Sequence, residues 1–280
     1  MATASGVLTW LPHPSAGGVR HTIRAAAGEV FALRWRPSLD LAVVAASWAL
    51  VVASLSAATY IATAANGIQY FLFYAVLGAT GFGFALPVGW MVYVRGRPLA
   101  DLGLTTRRWR WSLSLQLAFA AVQYQQTLAH ATLPPLAQLL PIISLVLAIG
   151  LFEAVFWRGW VHARLEEAFG FLPALAIGSA LYAAYHIGYG MSLSEMGFLF
   201  GIGAMYAVAF RLTGSVLVLW PFFQPMGQLF WMTRDGLPLP LEATLGFIDV
   251  LALMATIIWW VRRRRRRTPG PGAPVVPVAA

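Results

Sequence analysis

FEAVFWRGW, Phe152 to Trp160, closes the apolar run PPLAQLLPIISLVLAIGL and carries a carboxylate and a guanidinium five residues apart. A membrane-spanning helix needs roughly 20 mostly apolar residues. Leu136 to Trp160 is long enough, so the stretch reads as the end of a transmembrane helix that keeps Glu153 inside its apolar part. Ionisable groups in a bilayer are costly and are usually retained for function. This one helix therefore points both to an all-helical membrane fold and to a buried chemical site.

Composition agrees along the whole chain. Of 280 residues, 59% are hydrophobic and 10% charged, whereas a soluble domain carries roughly 25% charged residues. The formal charge is +9, and all nineteen basic residues are Arg. Six form the run Arg262 to Arg267 and most of the others flank apolar segments, which is the footprint of membrane topology and not of a nucleic-acid-binding face. The absence of Cys excludes disulfides and thiolate metal sites. Residues 1–40 hold no unbroken apolar core and read as a cytoplasmic N-terminal tail with an interfacial helix, without a signal peptide.

Eight apolar segments follow within residues 41–261: Leu41–Ala64, Ile68–Val94, Trp111–His130, Leu136–Trp160, Leu172–Gly188, Met196–Leu212, Ser215–Met232 and Ala243–Val261. The expected fold is an all-α polytopic bundle of about eight transmembrane helices around an intramembrane cavity. Arg clusters follow the even-numbered segments, while loops after the odd-numbered ones hold only Arg234. The positive-inside rule then places both termini in the cytoplasm of a multi-pass protein of the cell membrane. WVHARLEEAF, Trp160 to Phe169, reads as a short amphipathic helix at the cytoplasmic interface, with His162 and Glu166 as a solvated pair one turn apart. Residues 262–280 read as a basic, disordered cytoplasmic tail.

Among the ionisable residues within spans, Glu153, His186 and Asp249 are the ones that bear on chemistry. A carboxylate and an imidazole sharing an apolar cavity can act as a general acid/base pair and activate a water. The competing reading is that each holds helices together through some other polar partner. Asp249 has no partner in sequence and reads as structural. Tyr and Trp near helix ends read as interfacial anchors. No HExxH, GxxxxGK or GxSxG occurs, and the Gly-rich GFGFALPVG, Gly81 to Gly89, lies within a span and suits close helix packing.

The motifs resemble those of the CAAX protease and bacteriocin-processing (CPBP, or ABI) family of intramembrane proteases. Its EExxxR motif, usually followed by Gly, is similar to Glu153-Ala154-Val155-Phe156-Trp157-Arg158 and Gly159, with Ala154 for the second Glu. Its FxxxH motif is similar to Tyr182-Ala183-Ala184-Tyr185-His186. FGIGAMYAVAFRLTGS, Phe200 to Ser215, resembles the approach to its third motif, whose His and Asn fall on Gln224 and Gln228 here. RGRPLADLGLTTRRWRW, Arg95 to Trp111, is similar to the basic linker ahead of the family's catalytic helices. The resemblance covers a protease-like core of about residues 90–235.

The resemblance implies an intramembrane endopeptidase. Glu153 would activate water, His186 would serve as base or proton carrier, and Gln224 and Gln228 would polarise the scissile carbonyl. Arg158 and Tyr182 would support them. A catalytically inactive relative that binds membrane peptides is the alternative suggested by Ala154, Gln224 and Gln228, and a proton-coupled transporter is a third reading. One Glu and one His make a poor zinc site, so neither metal nor cofactor is expected. The expected partners are the lipid bilayer and a membrane-embedded protein or peptide substrate, with no nucleic acid. Ala154 removes the carboxylate four residues before Arg158, so Arg158 is expected to snorkel to the cytoplasmic headgroups and His186 to be the partner of Glu153. Straight helices of these lengths leave a mismatch. Glu153 lies about 10 Å from the cytoplasmic end of its helix and His186 roughly 20 Å from that face.

Overall fold

The computed structural model describes residues 28–62, 67–234, 236 and 239–267. Most of the expected N-terminal tail and residues 268–280 of the C-terminal tail lie outside the described residues. Within them every regular element is helical. Eight longer helices follow in order: α1 (Leu39–Ala62), α2 (Ile68–Val94), α3 (Trp109–Gln126), α4 (Leu136–Phe169), α5 (Phe171–Tyr189), α6 (Leu193–Thr213), α7 (Phe223–Arg234) and α8 (Ala243–Arg267). Six are long and apolar enough to cross a membrane; α3 and α7 are not. The third and seventh expected spans are therefore shorter or more polar than a lipid-exposed crossing requires. The chain is a helical, multi-pass membrane protein.

α4 is the axis of the bundle. In its most apolar window 78% of residues are buried inside the protein, against 22% for α8. Pro134 and Pro135 precede its first turn, where a missing N–H costs nothing. Its far end differs from the sequence reading. The helix does not stop at the membrane edge near Trp160 but runs 34 residues to Phe169. Trp160, Val161, His162, Arg164 and Leu165 are all buried. WVHARLEEAF is thus a continuation of the central helix and not a separate interfacial one, because both its apolar and its basic side chains find protein partners.

α4 and α5 form an antiparallel hairpin closed by Gly170, whose φ of +90° is open to glycine. A Cβ there would also overlap the carbonyl of Ala32. Arg34 and Arg36 donate their backbone N–H groups to the Phe169 and Ala168 carbonyls, which satisfies the end of α4. Up the hairpin, the His162 ring donates from Nδ1 to the Ala174 carbonyl, Trp157 meets Tyr182, and Glu153 meets Tyr185. This register removes the depth mismatch. Glu153 lies midway along α4, about 25 Å from either end at ~1.5 Å per residue, and the part of α5 that carries His186 reaches the same level.

α6 opens on a capping box. Ser192 Oγ accepts the Glu195 N–H, and Glu195 Oε2 accepts the Ser192 N–H at 2.7 Å. It ends at Gly214, with φ +66°. One end of the bundle gathers charge. Arg97 pairs with Asp101 and Glu167, Arg164 with Glu167, and Arg211 with Glu166. α8 continues through the Arg run to Arg267, so Arg262–Arg267 are helical and not a disordered tail. Arg262 and Arg265 donate to the carbonyls of Leu104, Val92 and Arg97. Asp249 lies on the exposed face of α8.

Candidate active site

Three elements, α4, α5 and α7, converge at Glu153. The carboxylate is 3% exposed. Oε2 accepts an N–H from Gln224 Nε2 at 2.6 Å and another from Gln228 Nε2 at 2.9 Å, and Oε1 accepts from the Tyr185 hydroxyl at 3.3 Å. The two glutamines reach it because α7 rises against α4 where α4 has no side chain. A Cβ on Gly150 would lie 2.9 Å from Pro225 Cγ. Their four-residue spacing puts both amides on one face of α7, as expected. Their target is the carboxylate itself.

His186 sits in the last turn of α5, also buried. Its Nδ1 donates to the Tyr182 carbonyl at 2.8 Å, since a carbonyl can only accept. That fixes the tautomer and leaves the Nε2 lone pair as a base. The Glu153 carboxylate has its hydrogen bonds from Tyr185, Gln224 and Gln228, not from His186. The imidazole instead packs edge-on to Tyr185, with centroids 4.5 Å apart.

Arg158 overturns the snorkelling expectation. It is 1% exposed, with its guanidinium over the faces of Tyr182 at 5.0 Å and Tyr206 at 5.8 Å. Among the described residues none of its three side-chain nitrogens has a hydrogen-bond partner. The cause is helical winding. Residues Ala154–His162 adopt a π-helix, whose wider turn rotates Arg158 inward relative to α-helical spacing, and π segments recur at functional sites. Two aromatic faces then hold the cation. His162, expected to be solvated, is 1% exposed, with Nε2 3.6 Å from Glu166.

Tyr185 was not among the residues singled out in the sequence. LYAAYHIGY nevertheless spaces Tyr182, Tyr185 and Tyr189 at i, i+3 and i+7, one face of a helix. Tyr74, like Tyr185, is a buried hydrogen-bonding residue and not an interfacial anchor, and Tyr189, partly exposed at the end of α5, bonds to both. Among the described residues no three His, Cys, Asp or Glu side chains gather, and a catalytic zinc wants three protein ligands. The donor set does not fit one.

The amide contacts make a prediction. Hydrogen bonds to charged groups contribute about 1.5–3 kcal/mol. Gln224→Leu is expected to destabilise the protein by about that much, and by about 1 kcal/mol less when Glu153 is already Gln. Thermal unfolding of the four proteins of this cycle reads the difference. Equal losses in both backgrounds would mean that the amide does not pair with the carboxylate.

No curated protein and no solved structure matches the chain. Residues 135–222, which span α4, α5, α6 and the turn before α7, match the family model described as Type II CAAX prenyl endopeptidase Rce1-like. Gln224 and Gln228 lie just beyond the match. Over that stretch the chain is similar to the CAAX prenyl endopeptidases, in line with the family its motifs resemble.

Proposed function

We propose that the chain is an intramembrane endopeptidase in which Glu153 removes a proton from water and the water oxygen attacks the scissile carbonyl carbon. The proton then passes to the amide nitrogen, the C–N bond breaks, and an amine and a carboxylic acid leave. The observation that carries this reading is the convergence of α4, α5 and α7 on one buried carboxylate at mid-helix. Its two amide donors hold the carboxylate in one orientation. His186, with Nδ1 occupied, offers Nε2 to hold or carry the proton. Arg158, held by Tyr182 and Tyr206, supplies the nearby positive charge that negative charge in the site requires. No metal enters this scheme.

The substrate is a membrane-embedded protein or peptide, since the site lies within the apolar part of the bundle. The Arg-rich end faces the cytoplasm under the positive-inside rule, which makes the protein multi-pass in the cell membrane. The test compares peptide N-termini in membranes of cells carrying the wild type or Glu153→Gln at matched expression. Termini that appear only with the wild type are expected. Identical sets would remove proteolysis as the function.

A further inference from the structure

Glu153 has almost no contact with solvent, so whatever proton it exchanges with bulk water, and hence the protonation state in which it meets a substrate, depends on what its neighbours can carry. The groups around it differ in what they can carry. The Gln224 and Gln228 amides donate N–H but cannot pass a proton on, and the Arg158 guanidinium does not deprotonate. The Tyr185 hydroxyl both donates and accepts. From it a row of hydroxyls continues: Tyr185 to Tyr189 at 2.9 Å, and Tyr189 to Tyr74 at 3.0 Å. Tyr189 is the last residue of α5, partly exposed where the helix ends at Gly190. Tyr70, also partly exposed, stacks on Tyr74 at 5.5 Å toward the start of α2. The row therefore leads from mid-bundle to the end opposite the Arg-rich one. A small cavity lined by Tyr74, Tyr185, Phe152 and Leu55 lies along it.

Each hydroxyl carries one proton, so the row has two self-consistent alignments. With Glu153 ionised, Tyr185 donates to Oε1 and Tyr189 to Tyr185, and the outer bond, in which Tyr189 is the donor in this structure, turns so that Tyr74 donates to Tyr189. With Glu153 protonated, all three bonds reverse. Passing from one to the other moves one proton. Glu153 gives its proton to Tyr185, Tyr185 gives its own to Tyr189, Tyr189 to Tyr74, and Tyr74, itself buried, to water entering beside the partly exposed Tyr70. No tyrosine changes its protonation state. The titratable groups facing this path are Tyr70 on α2, Arg158 on α4, Tyr182 and His186 on α5, and Tyr206 on α6. Neither Tyr182 nor Tyr206 stands in the row.

We propose that Tyr185, Tyr189 and Tyr74 form a hydroxyl relay through which Glu153 exchanges its proton with water at the end of the bundle opposite the Arg cluster. The relay rests on the reading of Glu153 as the base, but its test does not need a substrate. Reconstituted full-length protein is brought to a pH acidic enough to show the infrared C=O band of protonated Glu153, assigned by its loss in Glu153→Gln, and is then perfused with D2O. Tyr189→Phe breaks the row at its middle and leaves the Tyr185 bond intact; Tyr74→Phe breaks it at its outer end. Both are expected to slow the deuterium shift of the band by about tenfold. Unchanged exchange in both variants, at wild-type thermal stability, would reduce the row to a clamp between α2 and α5. Slowed exchange in His186→Gln but in neither Tyr variant would assign the path to the imidazole and also overturn the relay. A relay that passes in a protein without peptidase activity would sink the proposed function and leave the relay standing.

Discussion

Glu153→Gln is expected to lower the rate of peptide-bond hydrolysis by roughly 10²–10⁴-fold, the range of a positioned proton transfer, in a protein that folds as well as the wild type. The amide has the shape of the carboxylate, and its oxygen still accepts from Gln224 or Gln228. It cannot take a proton from water. Two effects on stability oppose each other. Removing a buried charge relieves a desolvation cost of several kcal/mol, while Arg158 loses its nearest negative charge. The two ions make no contact within 4 Å, since no ion pair joins them among the described residues. The Arg158 cation is held by Tyr182 and Tyr206. The unfolding free energy is therefore expected to stay within about 1 kcal/mol of wild type. Single-turnover cleavage and thermal unfolding of the same preparation check both halves. Wild-type cleavage by the variant would mean that another group is the base, and lost cleavage with lost stability would say nothing of chemistry.

Hydropathy made the helical class and most of the helices legible, because a lipid-exposed crossing must be long and apolar. α4 is where that signal failed. Its outer surface beyond Trp160 is polar, so a lipid criterion ends the helix there. The buried Arg164 and His162 find their partners only in the folded protein, in Glu167, Met91 and the Ala174 carbonyl. Arg158 was misplaced for a related reason. Uniform α-helical spacing puts it about 140° round from Glu153, and nothing in the letters AVFWRGWVH announces a π segment. Gln224 and Gln228 were legible by spacing as members of one site, but not as partners of the carboxylate, since that depends on α7 packing into the gap at Gly150. Tyr185 stands one residue before His186, but nothing in the letters separates a buried hydroxyl from the interfacial tyrosines that membrane proteins commonly carry.

Gly159→Ala is expected to cost about 3 kcal/mol or more, the upper end for adding a methyl to a packed interior. A Cβ at 159 would overlap the backbone of Leu102, its carbonyl oxygen, carbon and Cα. A side chain could swing aside; this turn cannot. Gly103 follows at φ +73°, and its own Cβ would strike the Phe210 ring. The Leu104 N–H is bonded to the Leu99 carbonyl and the Val216 N–H to the Gly103 carbonyl, and Ser215 Oγ donates to Thr105. Arg262 holds the Leu104 carbonyl from α8. The glycine after Arg158 is thus the place where the linker turn Leu99–Leu102 lies directly on the central helix. Gly201→Ala serves as the control, since its Cβ would meet nothing within 4 Å on the helix α6; there the added methyl should stabilise by about 0.5–1 kcal/mol. Thermal unfolding of the two variants in one detergent reads the contrast. Equal midpoints would mean that the turn does not sit on α4 in the membrane. A large deficit at 159 alone ties the linker to the site, because a turn displaced there pushes on the π segment that holds Arg158 against Tyr182 and Tyr206, one turn from Glu153.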